Sequence, residues 1–113
     1  MKFGKFKPWN EWKDHIDGTE HYQFHLENGY GASVIRGPYS YGGPQGLYEL
    51  AVLRKRRKHW EITYDTTITD EVLGNLEVDD VVKVLEDISR LADFYELRHQ
   101  SFVDHDGNVV FVD

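Results

Sequence analysis

From residue 20 the chain alternates: Tyr22, Phe24 and Leu26 are apolar, while His21, Gln23, His25 and Glu27 between them are polar. A period of two sends successive side chains to opposite faces, so residues 20–27 are predicted as a strand with one buried face. Asn28-Gly29 follows, a dipeptide that accepts the positive φ angles of a tight hairpin turn, and residues 30–35 then return as the partner strand. After a loop, residues 47–53 (LYELAVL) are apolar at nearly every position except Glu49, the pattern of a central strand. The cations Arg54, Lys55, Arg56, Arg57 and Lys58 interrupt it, and Trp60, Ile62 and Tyr64 then alternate with His59, Glu61 and Thr63. This predicts a second hairpin with a basic tip.

At Thr69 the period becomes helical. A Thr69 hydroxyl that accepts from the first turn, with Asp70 and Glu71 at the positive end of the dipole, predicts a short capped helix over 69–76. Asp79 and Asp80 open a longer helix. Its Val81, Val84, Leu85, Ile88, Leu91, Ala92 and Tyr95 fall on one stripe, with Lys83, Glu86, Asp87, Arg90 and Asp93 off it. Beyond it, β-favouring residues flank DHDGN at 104–108 and predict a last hairpin or an added edge strand. Residues 1–19 have no clear period and are read as an N-terminal extension with Phe3, Phe6, Trp9 and Trp12 as anchors, Pro8 disfavouring a helix there. The expectation is a single α+β domain over 20–113. It is a small antiparallel sheet of about four strands, in ββββαα order, covered on one face by the C-terminal amphipathic helix.

With 113 residues, 40% hydrophobic and 29% charged, the chain has the composition of one globular domain rather than a disordered segment. It has no cysteine, which excludes disulfides, thiolate metal sites and cysteine nucleophiles and points to the cytoplasm. The N-terminal stretch is too charged for a signal peptide and no apolar run is long enough to span a bilayer, so no membrane partner is expected. The net charge of −7 is unevenly spread. Residues 1–64 carry ten basic and seven acidic groups (+3), and residues 65–113 carry three and thirteen (−10). Such asymmetry steers partners by long-range attraction.

The glycine-rich stretch at 28–43 (NGYGASVIRGPYSYGG) lies between strands, not at the strand-to-helix junction of a phosphate loop, and lacks GK[ST]. Its second half places Tyr39 and Tyr41 beside Gly42 and Gly43. Two large aromatics there offer rigid contact area of the kind recognition surfaces use. The run Arg54, Lys55, Arg56, Arg57, Lys58 is the nucleic-acid signal, cations able to meet phosphates with Tyr39, Tyr41 or Trp60 stacking on bases. At strand spacing, however, these cations point to alternating sides. His21 and His25 would share an ion on a helix, but four residues of strand hold them about 13 Å apart. The DHDGN segment begins like a calcium loop without the later bidentate Glu. Asp65 reads as a strand-end turn. No serine sits in a GxSxG elbow, so no catalytic residue, metal or other cofactor is assigned.

NGYGASVIRGPYSYGGPQGLYELAVL, followed by W-x-ITYDTTITDEVLGNL and the amphipathic helix, resembles a family of small tailed-bacteriophage proteins. That family shares an NGYGASV-like turn, a YGG loop, an ELAVL-like strand and a YDTPITDDV-like junction. The resemblance covers roughly residues 20–92, with Thr67 where the family has proline, and carries no activity with it. It implies a protein made during infection in the host cell cytoplasm. The first expectation is then a non-catalytic binding protein that engages a host or phage protein, for instance to inhibit host defence or transcription. It would use Tyr39, Tyr41, Gly42 and Gly43 with a carboxylate array of Asp79, Asp80, Glu86, Asp87 and Asp93. The alternative is direct nucleic-acid binding through Arg54 to Lys58. Strand edges such as VVFVD at the C-terminus would let two copies pair as a homodimer.

Overall fold

The structure is a computed structural model and describes residues 2–92, together with the backbone at 101–103 and 109–111. Six antiparallel strands precede one helix: β1 (Asn10–Lys13), β2 (Glu20–His25), β3 (Tyr30–Arg36), β4 (Tyr48–Arg56), β5 (His59–Ile62), β6 (Leu73–Leu76) and α1 (Val78–Ser89). The sheet runs β1-β2-β3-β4-β5, and β6 pairs with the first half of β4, where β5 does not reach. Beyond α1, β7 (Ser101–Val103) and β8 (Val109–Phe111) pair as an antiparallel hairpin, as the β-favouring flanks of DHDGN predict.

The α+β class and the antiparallel sheet agree with the sequence. The strand count and the order do not, and two segments account for the difference. Residues 10–13 form an edge strand in register with β2, Trp12 opposite His21. The expected short helix over 69–76 is absent. Thr69 makes a local turn instead, its hydroxyl donating to the Glu71 carbonyl at 2.9 Å and accepting from the Glu71 N–H at 3.1 Å. Residues 73–76 are strand. The first half of β4 presents backbone groups that β5 leaves unpaired, and buried backbone groups demand partners. Pairing with β6 supplies them, against a segment whose Gly74 weakens any helix.

One face of the sheet carries the core. Tyr22 and Phe24 of β2, Ala32 and Val34 of β3, and Tyr48, Leu50 and Val52 of β4 pack beneath Val81, Leu85 and Ile88 of α1. These three helical residues fall at spacings of four and three, so one stripe covers the sheet. The helix begins with a capping box in which the Glu77 N–H donates to Asp80 Oδ2 at 2.9 Å. At its other end Asn28 donates its side-chain N–H to the carbonyls of Ile88 (2.8 Å) and Leu91 (3.1 Å), joining the first hairpin to the helix C-terminus. Phe3 and Phe6 belong to the same core, Phe3 meeting the rings of Tyr22, Phe24 and Tyr48 edge-on. The other two aromatics of that N-terminal set, Trp9 and Trp12, are exposed on the opposite face.

Candidate functional site

Alternation along β2 gives the sheet a second face, lined by His21, Gln23 and His25 and not covered by α1. His25 is the centre of a stack of rings. Trp9, whose backbone N–H donates to the Gln23 carbonyl at 2.8 Å, lays its indole on the imidazole with centroids 4.4 Å apart and 21° between planes. Trp60 of β5 packs against the same imidazole at 3.9 Å and 5°. On a flat sheet, strands β2 and β5 would stand roughly 14 Å apart at about 4.8 Å per strand. The rings meet because the sheet curls and because Gly31 of β3, opposite His25, has no side chain. A Cβ there would collide with the Phe24 carbonyl and lie 3.2 Å from Trp60 Cζ3.

Gln23 Nε2 lies 2.8 Å from His25 Nε2. With the amide donating, that nitrogen accepts and the ring proton sits on Nδ1, as in a neutral imidazole. Burial first, and then the nearby Lys55 charge, hold the His25 pKa below its ordinary value, in keeping with that form. Toward the edge, Trp12 stacks on His21 with centroids 4.7 Å apart and planes 2° from parallel.

The basic run divides: alternation in β4 sets Arg54 and Arg56 against Lys55, and Arg57-Lys58 form the turn that follows. Arg54 and Arg56 turn toward Glu61, at 3.3 and 4.0 Å. Lys55, Arg57 and Lys58 instead line, together with Trp9, His25 and Trp60, an open concavity of about 650 Å³. Arg57 holds the tip in the left-handed region at φ 58, where a long side chain is uncommon. Three cations therefore stand beside a flat aromatic surface whose outermost indole, Trp9, is 64% exposed. This combination can hold phosphates and stack a base.

The tyrosine loop is elsewhere. Residues 37–46 join the other ends of β3 and β4, and β4 is nine residues long, so Tyr39 and Tyr41 stand about 30 Å from the basic tip. The loop is closely built. Ser40 Oγ accepts from the Gly37 N–H at 2.8 Å and donates to the Gly37 carbonyl at 3.0 Å, and a single 3₁₀ turn follows at Gly43–Gln45. Tyr41 accepts from the Asn75 N–H of β6 at 3.2 Å, and its ring covers Gly74. Gly42 has φ 89, and a Cβ on it would stand 2.7 Å from Asn75 Oδ1. The glycines here let a loop press against a strand. Tyr39 projects, 89% exposed.

The carboxylates are partly engaged within the helix. Asp80 closes the capping box, Asp87 meets Arg90 at 3.1 Å and Glu86 meets it at 3.8 Å, while Asp79 is exposed. Asp93 and the DHDGN segment lie outside the described residues. Asp65 is exposed, its N–H donating to Thr63 Oγ1 at 3.3 Å. Among the described residues no three His, Asp or Glu side chains gather as a metal site, and no helix is long and apolar enough to cross a membrane. Sequence reasoning named Trp60 as a stacking residue but missed Trp9 and the part played by His25. The available signal was the pair of histidines on the polar face of a strand, a position where charged or small polar residues would serve solubility equally well.

Comparisons with protein-family models, with curated proteins and with solved structures found no match.

Proposed function

We propose that the protein binds single-stranded nucleic acid in the concavity between Trp9 and the β4–β5 tip, without catalysis, in the setting of phage infection that the sequence resemblance implies. The observation that carries this reading is the Trp9–His25–Trp60 stack flanked by Lys55, Arg57 and Lys58. An indole face accepts any base, and the cations meet the phosphates on either side of it. Asp79, Asp80, Glu86 and Asp87 on α1, which packs against the other face of the sheet, repel a polyanion from that side. The test is titration of a labelled oligothymidylate against the protein and against a Lys55→Gln, Arg57→Gln, Lys58→Gln variant. Three phosphate contacts predict a slope of log K on log salt near about −2, or an affinity loss of roughly 20-fold between 50 and 200 mM salt. Absence of binding at the lower salt, or binding that the triple variant retains, rejects the reading.

A second reading, engagement of a host or phage protein, draws on Tyr39, whose ring stands free on a loop fixed by its own hydrogen bonds. It predicts a partner captured in the presence of nuclease, kept by the triple variant and lost with Tyr39→Ala.

A further inference from the structure

The single-strand reading accounts for one end of the open face and leaves a second parallel stack, Trp12 on His21, without a role. Trp12 is 45% exposed and belongs to β1, the edge strand of the sheet. His21 and His25 lie on the same face of β2, four residues apart, so the two stacks stand about 13 Å from one another along the strand. Between them the same face presents Gln23 and its register partner Asn10, two amides able to meet base edges.

From these positions we infer that Trp12 is a second stacking station, and that one nucleic-acid strand runs from the basic tip past Trp9 to Trp12 along β2. The inference rests on the single-strand reading and adds to it a direction and a length. At the stacked rise of about 3.4 Å per nucleotide, 13 Å spans about four nucleotides. A three-nucleotide ligand then reaches one station, whereas a six-nucleotide ligand reaches both. The surroundings agree with a path of this kind. The Lys55 N–H donates to the Gly29 carbonyl at 2.8 Å, which sets the basic tip beside the β2–β3 turn and so at the His25 end of β2. The strand would enter where the phosphate contacts are and leave over the edge of the sheet.

The experiment titrates oligothymidylates of three and six nucleotides into the full chain and into Trp9→Ala, Trp12→Ala and Trp12→Phe, with far-UV circular dichroism to confirm that each variant is folded. The wild type should bind the six-nucleotide ligand at least about fivefold more tightly than the three-nucleotide one, the worth of one additional stacked base. Trp12→Ala should lose that gain while binding the shorter ligand unchanged, Trp12→Phe should retain it, and Trp9→Ala should weaken both ligands. If Trp12→Ala keeps the gain, Trp12 is no station and the inference fails while the single-strand reading stands. If the wild type binds neither ligand, both fail.

Discussion

Glu20 offers a test of how the N-terminal segment, the sheet and the tyrosine loop are held to one another. Its Oε2 accepts from Arg36 Nε at 2.7 Å, and its Oε1 accepts from Arg36 Nη2 at 3.1 Å and from the Tyr22 hydroxyl at 2.7 Å, with Lys2 Nζ 3.6 Å away. Arg36 in turn lies 4.5 Å over the Tyr48 ring and donates to the Gly46 carbonyl at 3.3 Å. The Arg36 hydrogen bonds above all, and then that of Tyr22, outweigh partial burial and hold the Glu20 carboxyl down to about 2 from an ordinary 4.5. A displacement of that size corresponds to at most about 3.4 kcal/mol. The Glu20 side chain is 22% exposed, and solvent screening reduces the contribution to about 1–2 kcal/mol. Because the folded-state pKa is depressed, this stability is fully present above about pH 4.5 and is lost as the pH falls from there toward 2. Urea unfolding of the wild type and Glu20→Gln at pH 6, 4 and 3 measures it. The variant should be less stable by about 1–2 kcal/mol at pH 6, with the difference falling to roughly half of that at pH 3 and closing only toward pH 2. A difference that is absent, or that is the same at every pH, refutes the reasoning.

Two further substitutions probe the open face. Gly31→Ala forces a Cβ against the Phe24 carbonyl and the Trp60 ring. It should lower stability by about 2 kcal/mol or more in thermal unfolding, the range in which overpacking and backbone displacement fall. Arg57→Gly removes a long side chain from a left-handed position (φ 58). It should raise stability by up to about 1 kcal/mol while weakening oligonucleotide binding, a pairing of opposite signs read by unfolding and titration on the same sample.

The hairpin of β2 and β3 and the central strand β4 lie where alternation and Asn28-Gly29 place them, because burial of one face at a period of two is a local pattern. The stripe of α1 is legible for the same reason at its own period. Residues 73–76 are misread because what decides them is remote: the unpaired half of β4 settles their conformation, and nothing in the capping residues before them records it. The face of a strand that a helix covers is also a tertiary fact. Trp60, Ile62 and Tyr64 alternate as a core strand would, yet Ile62 and Tyr64 are exposed and Thr63 is the buried residue. The Trp9–His25–Trp60 stack joins three distant points of the chain across a curled sheet. Gly31, the residue that permits it, is indistinguishable in sequence from the turn glycines around it.

All three tryptophans of the chain stand on histidines of the open face, Trp9 and Trp60 on His25 and Trp12 on His21. None lies in the core. The intrinsic ultraviolet emission of the protein therefore originates almost wholly at this open face. Fluorescence and circular dichroism consequently observe different parts of this molecule. Emission follows the immediate surroundings of the open face, and the far-ultraviolet signal follows the sheet and helix beneath it. A change in emission on heating is therefore not by itself a report of unfolding.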